Sequence, residues 1–166
     1  MNKAITLFIF ALLLALAHSN NAIVTYHLYK RTDSLSTVAC SDGANGLMSW
    51  GYKDLSMVFP YVTAWQPASW NSPQCGSCAK ITWNGKFTYV TVIDQCGVIN
   101  SAYSHFDMSR EAFYGLFGDI GIAKGTMLAN FTIVASSYCP GNKKGVKSGL
   151  PFPWVNQNRY PQHGQQ

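Results

Sequence analysis

The chain has 166 residues, with 12 Lys and Arg against 7 Asp and Glu, a net charge of +5 and 11% charged residues. That length suits one domain with a real core, and 48% hydrophobic residues exclude a wholly disordered chain. No acid follows Asp119, and Lys143, Lys144, Lys147 and Arg159 carry the positive excess. Charge gathered in a tail does not suggest the structured basic face that nucleic acid or a membrane surface requires.

Lys3 precedes an apolar run from Ala4 to Ala17, broken only by Thr6, and Ala15-Leu16-Ala17 offers a small-x-small cleavage site. The run is too short for a membrane span, so residues 1–17 are expected to be a secretory signal, with cleavage as late as Ala22. The mature protein is then exported and soluble, a setting that favours disulfides. Cys40, Cys75, Cys78, Cys96 and Cys139 are odd in number, so two bridges leave one thiol over, and the residues alone leave the pairing open. Cys75-x-x-Cys78 has no second such pair and no His-rich partner segment, so neither a metal nor another cofactor is expected.

Ile23–Tyr29 is β-branched and aromatic and predicts a first strand. Residues 34–39 predict a short second strand leading to Cys40, followed by two turns at Asp42-Gly43 and Asn45-Gly46. Residues 51–70 hold two prolines and five aromatics without a sustained period. They predict a long surface loop with a helical turn near Asp54–Met57 and a binding face. Ala79–Trp83 and Phe87–Ile93 flank Asn84-Gly85, which tolerates the positive φ of a two-residue hairpin turn. That hairpin delivers Asp94 at its far end. His105-Phe106-Asp107-Met108-Ser109 is expected to open a helix, capped by Asp107 or Ser109 and closed by Gly118 and Gly121. Residues 125–138 predict the last strand, with Asn130-Phe131-Thr132 a glycosylation sequon on it. From Pro140 the composition predicts a flexible basic tail, in which Phe152, Trp154 and Tyr160 are candidates for local docking. About six strands and one helix make a small β-barrel over residues 23–139.

Cys40-Ser-Asp-Gly-Ala-Asn-Gly-Leu47, Trp70-Asn-Ser-Pro-Gln-Cys-Gly-Ser-Cys78 and the intervening Phe59-Pro60-Tyr61 resemble the cerato-platanins, small secreted fungal proteins. The resemblance implies an all-β fold with minor α: a six-stranded double-psi β-barrel with one or two short helices and two disulfides. It pairs Cys40 with Cys75 and Cys78 with Cys139, and leaves Cys96 unpaired. Val24-Thr-Tyr-His-Leu-Tyr29 and Val92-Ile-Asp-Gln-Cys-Gly97 resemble barwin, a plant chitin-binding defence protein. His105-Phe-Asp-Met-Ser109 resembles the expansin motif whose aspartate is needed for wall loosening.

Asp94 and Asp107 are the candidates for chemistry, since two carboxylates can act as acid and base on a glycosidic bond. Related hydrolases take their base from a first-strand aspartate, whereas this strand offers Thr25, Tyr26 and His27, so hydrolysis is not expected. A structural alternative has Asp94 capping turn amides and Asp107 capping the helix. Sugars stack C–H faces on aromatics and bond their hydroxyls to polar groups. Trp50, Tyr52, Trp65 and Trp70, with Asn45, Gln95 and Asn100, supply both, and His105 is expected as a polar wall. Trp83 is expected in the core. A barwin-like ribonuclease would need His27 and a second histidine, but Thr126 stands at that second position.

The expected function is non-catalytic binding of chitin oligosaccharides or related wall polysaccharide, with expansin-like loosening and an elicitor role. Alternatives are a weak glycoside hydrolase or ribonuclease, and a surface-active or signalling protein without a groove. Expected partners are wall polysaccharide, chitin oligomers and a host receptor, bound by a monomer or by a Cys96-linked dimer.

Overall fold

A computed structural model describes residues 20–145. The predicted signal and residues 146–166, with the docking candidates Phe152, Trp154 and Tyr160, lie outside the described residues. Six strands close a barrel: β1 (Asn20–His27), β2 (Val62–Trp65), β3 (Cys78–Trp83), β4 (Lys86–Asp94), β5 (Ser104–Ser109) and β6 (Met127–Val134). Their order around it is β1-β5-β2-β4-β3-β6. The contacts β1/β5 and β2/β4 are parallel and the other four are antiparallel.

The hairpin β3–β4 forms as its sequence predicts. Asn84 and Gly85 both take positive φ (45° and 76°), and Trp83 pairs with Lys86 across them. Three other predictions are corrected. Residues 34–39 form a 3-10 turn at Leu35–Thr37 and a single bridge, Ser34 to Asp54, instead of a strand. The segment 51–70 is not wholly loop. It holds the predicted turn at Leu55–Met57 and then β2, whose Val62, Thr63 and Ala64 are buried between β4 and β5. A four-residue strand buried on both faces shows no alternation, so periodicity misses it.

The third correction concerns residues 105–109, which are strand β5. The helix α1 (Arg110–Lys124) starts only after them. Its cap is Ser109, whose Oγ accepts from Ala112 N and donates to Pro60 O; Asp107 caps nothing there. The helix also passes the predicted stop. Gly118 departs from helical angles (φ 61°, ψ −158°), yet the chain resumes and ends at Gly125, which has left-handed geometry.

Two apolar clusters fill the molecule. Val24, Ile81, Phe106, Met108 and Phe131 pack under Phe113 and Phe117 of α1. Leu35, Leu47, Leu55, Val62, Val92 and Ile93 pack around the Cys40–Cys75 bridge. Trp65 touches both, stacked on Phe106 at 5.5 Å. A second bridge, Cys78–Cys139, ties β3 to the chain beyond β6.

The first tail residues are docked, contrary to the expected flexibility. Tyr52 Oη donates to Gly141 O at 2.8 Å, and Asn142, buried, donates through Nδ2 to Gly76 O at 2.8 Å and Thr91 Oγ1 at 3.2 Å. Lys143 Nζ donates to Trp50 O at 3.0 Å and lies over the Tyr52 ring. Lys144 Nζ reaches Pro73 O and Ser77 Oγ.

Candidate functional site

One row of residues crosses four neighbouring strands. Thr25 of β1 pairs with Asp107 of β5, Asp107 with Ala64 of β2, and Ala64 with Asp94 of β4. Paired residues share a face of the sheet, so the two carboxylates flank a methyl group. Two strand spacings put their Cα atoms roughly 9–10 Å apart. A bulge makes this possible: Thr63 pairs with Val92, but Ala64 pairs with Asp94, so Ile93 is the extra residue. Without it, Asp94 would fall out of the row.

The two aspartates are held differently. Asp94 Oδ1 accepts from Ala39 N and Gln95 N, both at 2.8 Å, and its Oδ2 accepts from Tyr29 Oη at 3.2 Å. It thus caps turn amides and ties β4 to the 35–40 segment. Burial first, then the charges of Asp94 and Asp107, push the Tyr29 phenol far above the usual tyrosine range, so it remains a donor.

Asp107 accepts from Thr25 Oγ1 on Oδ1 at 2.6 Å, while its Oδ2 faces His27 Nδ1 at 4.0 Å. Its side chain is 22% exposed and that of His27 61%. His105, 7% exposed, donates from Nδ1 to Gly97 O at 2.6 Å, and its Nε2 lies 2.9 Å from Thr25 Oγ1. The expected polar wall is therefore a buried buttress behind Thr25. Cys96, the unpaired thiol, donates to His105 O at 3.3 Å. Burial, followed by the Asp107 charge, pushes that thiol up to about 12, which leaves it protonated and a poor nucleophile at neutral pH.

Of the other predicted site residues, Gln95 adjoins the row, its Nε2 donating to Gln66 O at 3.3 Å. Asn100 caps a turn at Ala102 N. Tyr52 is a correction: at 8% exposure it belongs to the lower core, the cluster around the Cys40–Cys75 bridge, and Trp50 packs edge-on against it. Trp65 is partly buried, packed against both clusters and stacked on Phe106. Asn45 bonds Asn71 twice, linking the loops around Gly43 and Asn71. Beside them Trp70 stands 62% exposed, with Nε1 donating to Asp42 Oδ1 at 2.6 Å. None of these side-chain hydrogen bonds reaches Asp94 or Asp107. Asn130 lies on β6 but is exposed, so its sequon faces outward.

Sequence reasoning does not find Thr25 and Tyr29 as site residues, and considers His27 only for hydrolase and nuclease chemistry. A signal exists for Thr25 and His27, which alternate along β1 with Tyr26, a residue packed on Phe113; Tyr29 lies beyond the strand and has none.

A closed six-stranded barrel with two parallel pairs, one helix and two disulfides places the molecule among the double-psi β-barrel proteins. The cerato-platanin family model matches residues 24–141, and the chain belongs to that family. It is 34% identical over 109 residues to a heat-stable 19 kDa antigen of Coccidioides immitis, covering 64% of this chain and 70% of the antigen. The crystal structure of cerato-platanin 3 from M. perniciosa superposes with a TM-score of 0.65 at 32% identity, over 72% of this chain and 98% of that one. The solution structure of the fungal elicitor cerato-platanin gives 0.58 at 30% identity, over 72% and 98%.

Proposed function

We propose that this protein is exported and binds chitin oligosaccharides or a related wall polysaccharide without cleaving them. The observation that carries this is the unequal state of the two carboxylates. Glycoside hydrolysis needs a free acid and a free base or nucleophile. Asp94 spends both oxygens on Ala39 N, Gln95 N and Tyr29 Oη. Asp107 Oδ2 faces His27 Nδ1 at 4.0 Å, beyond hydrogen-bond reach, which leaves it for a ligand, while the three donors on Asp94 suit a structural acceptor better than a base that activates water. His27 and Thr25 stand beside it as further polar groups, and Gln95 adjoins Asp94.

Trade of sugar–sugar hydrogen bonds for protein–sugar ones would loosen packed chains. Export is supported by the apolar run Ala4–Ala17 and by the two disulfides. An elicitor role toward a host receptor is supported by the likeness to the fungal elicitor cerato-platanin.

Calorimetric titration with a chitin hexamer, then chromatography of the same sample, tests the proposal. Heat with the hexamer intact is expected. Shortened products would sink the non-hydrolytic claim, and no heat would sink the chitin claim.

A further inference from the structure

Thr25 Oγ1 stands between His105 Nε2 at 2.9 Å and Asp107 Oδ1 at 2.6 Å. His105 Nδ1 is 2.6 Å from the Gly97 carbonyl, which can only accept, so Nδ1 carries a hydrogen. Thr25 owns one hydroxyl proton, yet two hydrogen bonds meet at its oxygen on this line. One further proton is needed to satisfy both.

From this count we infer that His105, Thr25 and Asp107 form a relay holding one extra proton, with Thr25 as the exchanger. In one form Nε2–H donates to Oγ1 and Oγ1–H donates to an ionised Asp107. In the other, the Nε2 proton has passed to Oγ1 while the Oγ1 proton has passed to Oδ1. Imidazolium and carboxylate become neutral imidazole and carboxylic acid, and the net charge of the unit is unchanged. The burial of His105 favours retention of this arrangement, since an unpaired Nε2 against Oγ1 would leave two lone pairs facing each other.

The groups facing Asp107 are His27 on β1, Tyr29 just beyond it, Asp94 on β4 and Cys96 in the following loop. β2 presents Ala64 and no titratable side chain. In both forms Oδ1 is engaged with Thr25, so the relay presents Oδ2 to a ligand as an acceptor and supports affinity for the chitin hexamer, a consequence that rests on the glycan proposal above. Thr25→Val, which breaks the line, weakens that affinity about tenfold.

The test is nitrogen-15 NMR of the imidazoles and carbon-13 NMR of Asp107 in the disulfide-intact protein without ligand. At about pH 7.5 a histidine with an ordinary midpoint near 6.5 is mostly neutral. There, the relay predicts either a protonated Nε2 on His105 or a protonated Asp107 carboxyl. Thr25→Val abolishes this signature and Thr25→Ser restores it. A bare Nε2 together with an ionised Asp107 in the wild type overturns the relay, and this spectrum needs no variant to fold. The signature without hexamer binding overturns the glycan proposal and leaves the relay standing. Binding with a bare Nε2 and an ionised Asp107 does the reverse.

Discussion

Ala64 faces Asp94 across β2 and β4 because β4 carries one more residue than β2 at that point, Ile93. The bulge brings Asp94 into line with Asp107, with only a methyl between the carboxylates. Ala64→Val would fill that space. Ala64 is buried, so overpacking costs about 1–3 kcal/mol, and hexamer binding is expected to vanish while the fold survives. Melting curves and calorimetry on the variant check this; binding at wild-type strength would show that the spacing of the two carboxylates across Ala64 does not matter to the ligand.

The aspartates should separate in mutagenesis. Asp94→Ala removes the acceptor of two amides and one phenol, and is expected to cost about 2 kcal/mol of stability. Asp107→Asn keeps the shape and an acceptor for Thr25, so it is expected to cost about 1 kcal/mol, but loses the hexamer. Urea unfolding beside calorimetry distinguishes the two. If Asp107→Asn binds normally, the acceptor lies elsewhere.

Asn142 should behave as a structural residue although it follows the last disulfide. Its Nδ2 serves Gly76 O and Thr91 Oγ1, and its Oδ1 accepts from Lys144 N at 2.9 Å. Asn142→Ala is expected to cost about 1–3 kcal/mol, and truncation after Cys139 at least as much. Truncation after Gly145 keeps these contacts. Equal melting temperatures for the two truncations would contradict the docking.

The exposed loops carry a prediction in acid. The Trp70 indole N–H, then Ser41, hold the Asp42 carboxyl below the usual range, and Ser56 does the same for Asp54. Depressed groups bind fewer protons in the folded state. Their contribution is therefore present above the unfolded value of about 4 and lost as pH falls through the lower folded values. Trp70→Phe removes the indole donor, so Asp42 should titrate at higher pH by NMR. An unmoved Asp42 would show that the indole bond is not formed in solution.

The sequence alone determined what depends on short-range chemistry. Asn84-Gly85 encodes its turn because both positions need positive φ, and Phe87–Ile93 encodes a strand because its residues suit a pleated sheet. The motifs around Cys40, Trp70 and Cys75 were enough to indicate the family. The tertiary structure decided the rest. β2 is four buried residues with no period, and residues 105–109 look like a helix start until β1 and β2 pair with them on either side. Tyr52 and Trp70 are both aromatics of loop composition, yet one fills the lower core and the other stands in solvent. No local pattern separates them, because burial is set by residues far away in the chain, Gly141 for Tyr52 and Asp42 for Trp70. The site is decided in the same way. Its row draws on Thr25, Ala64, Asp94 and Asp107 from four strands, and strand register, with one bulge, aligns them.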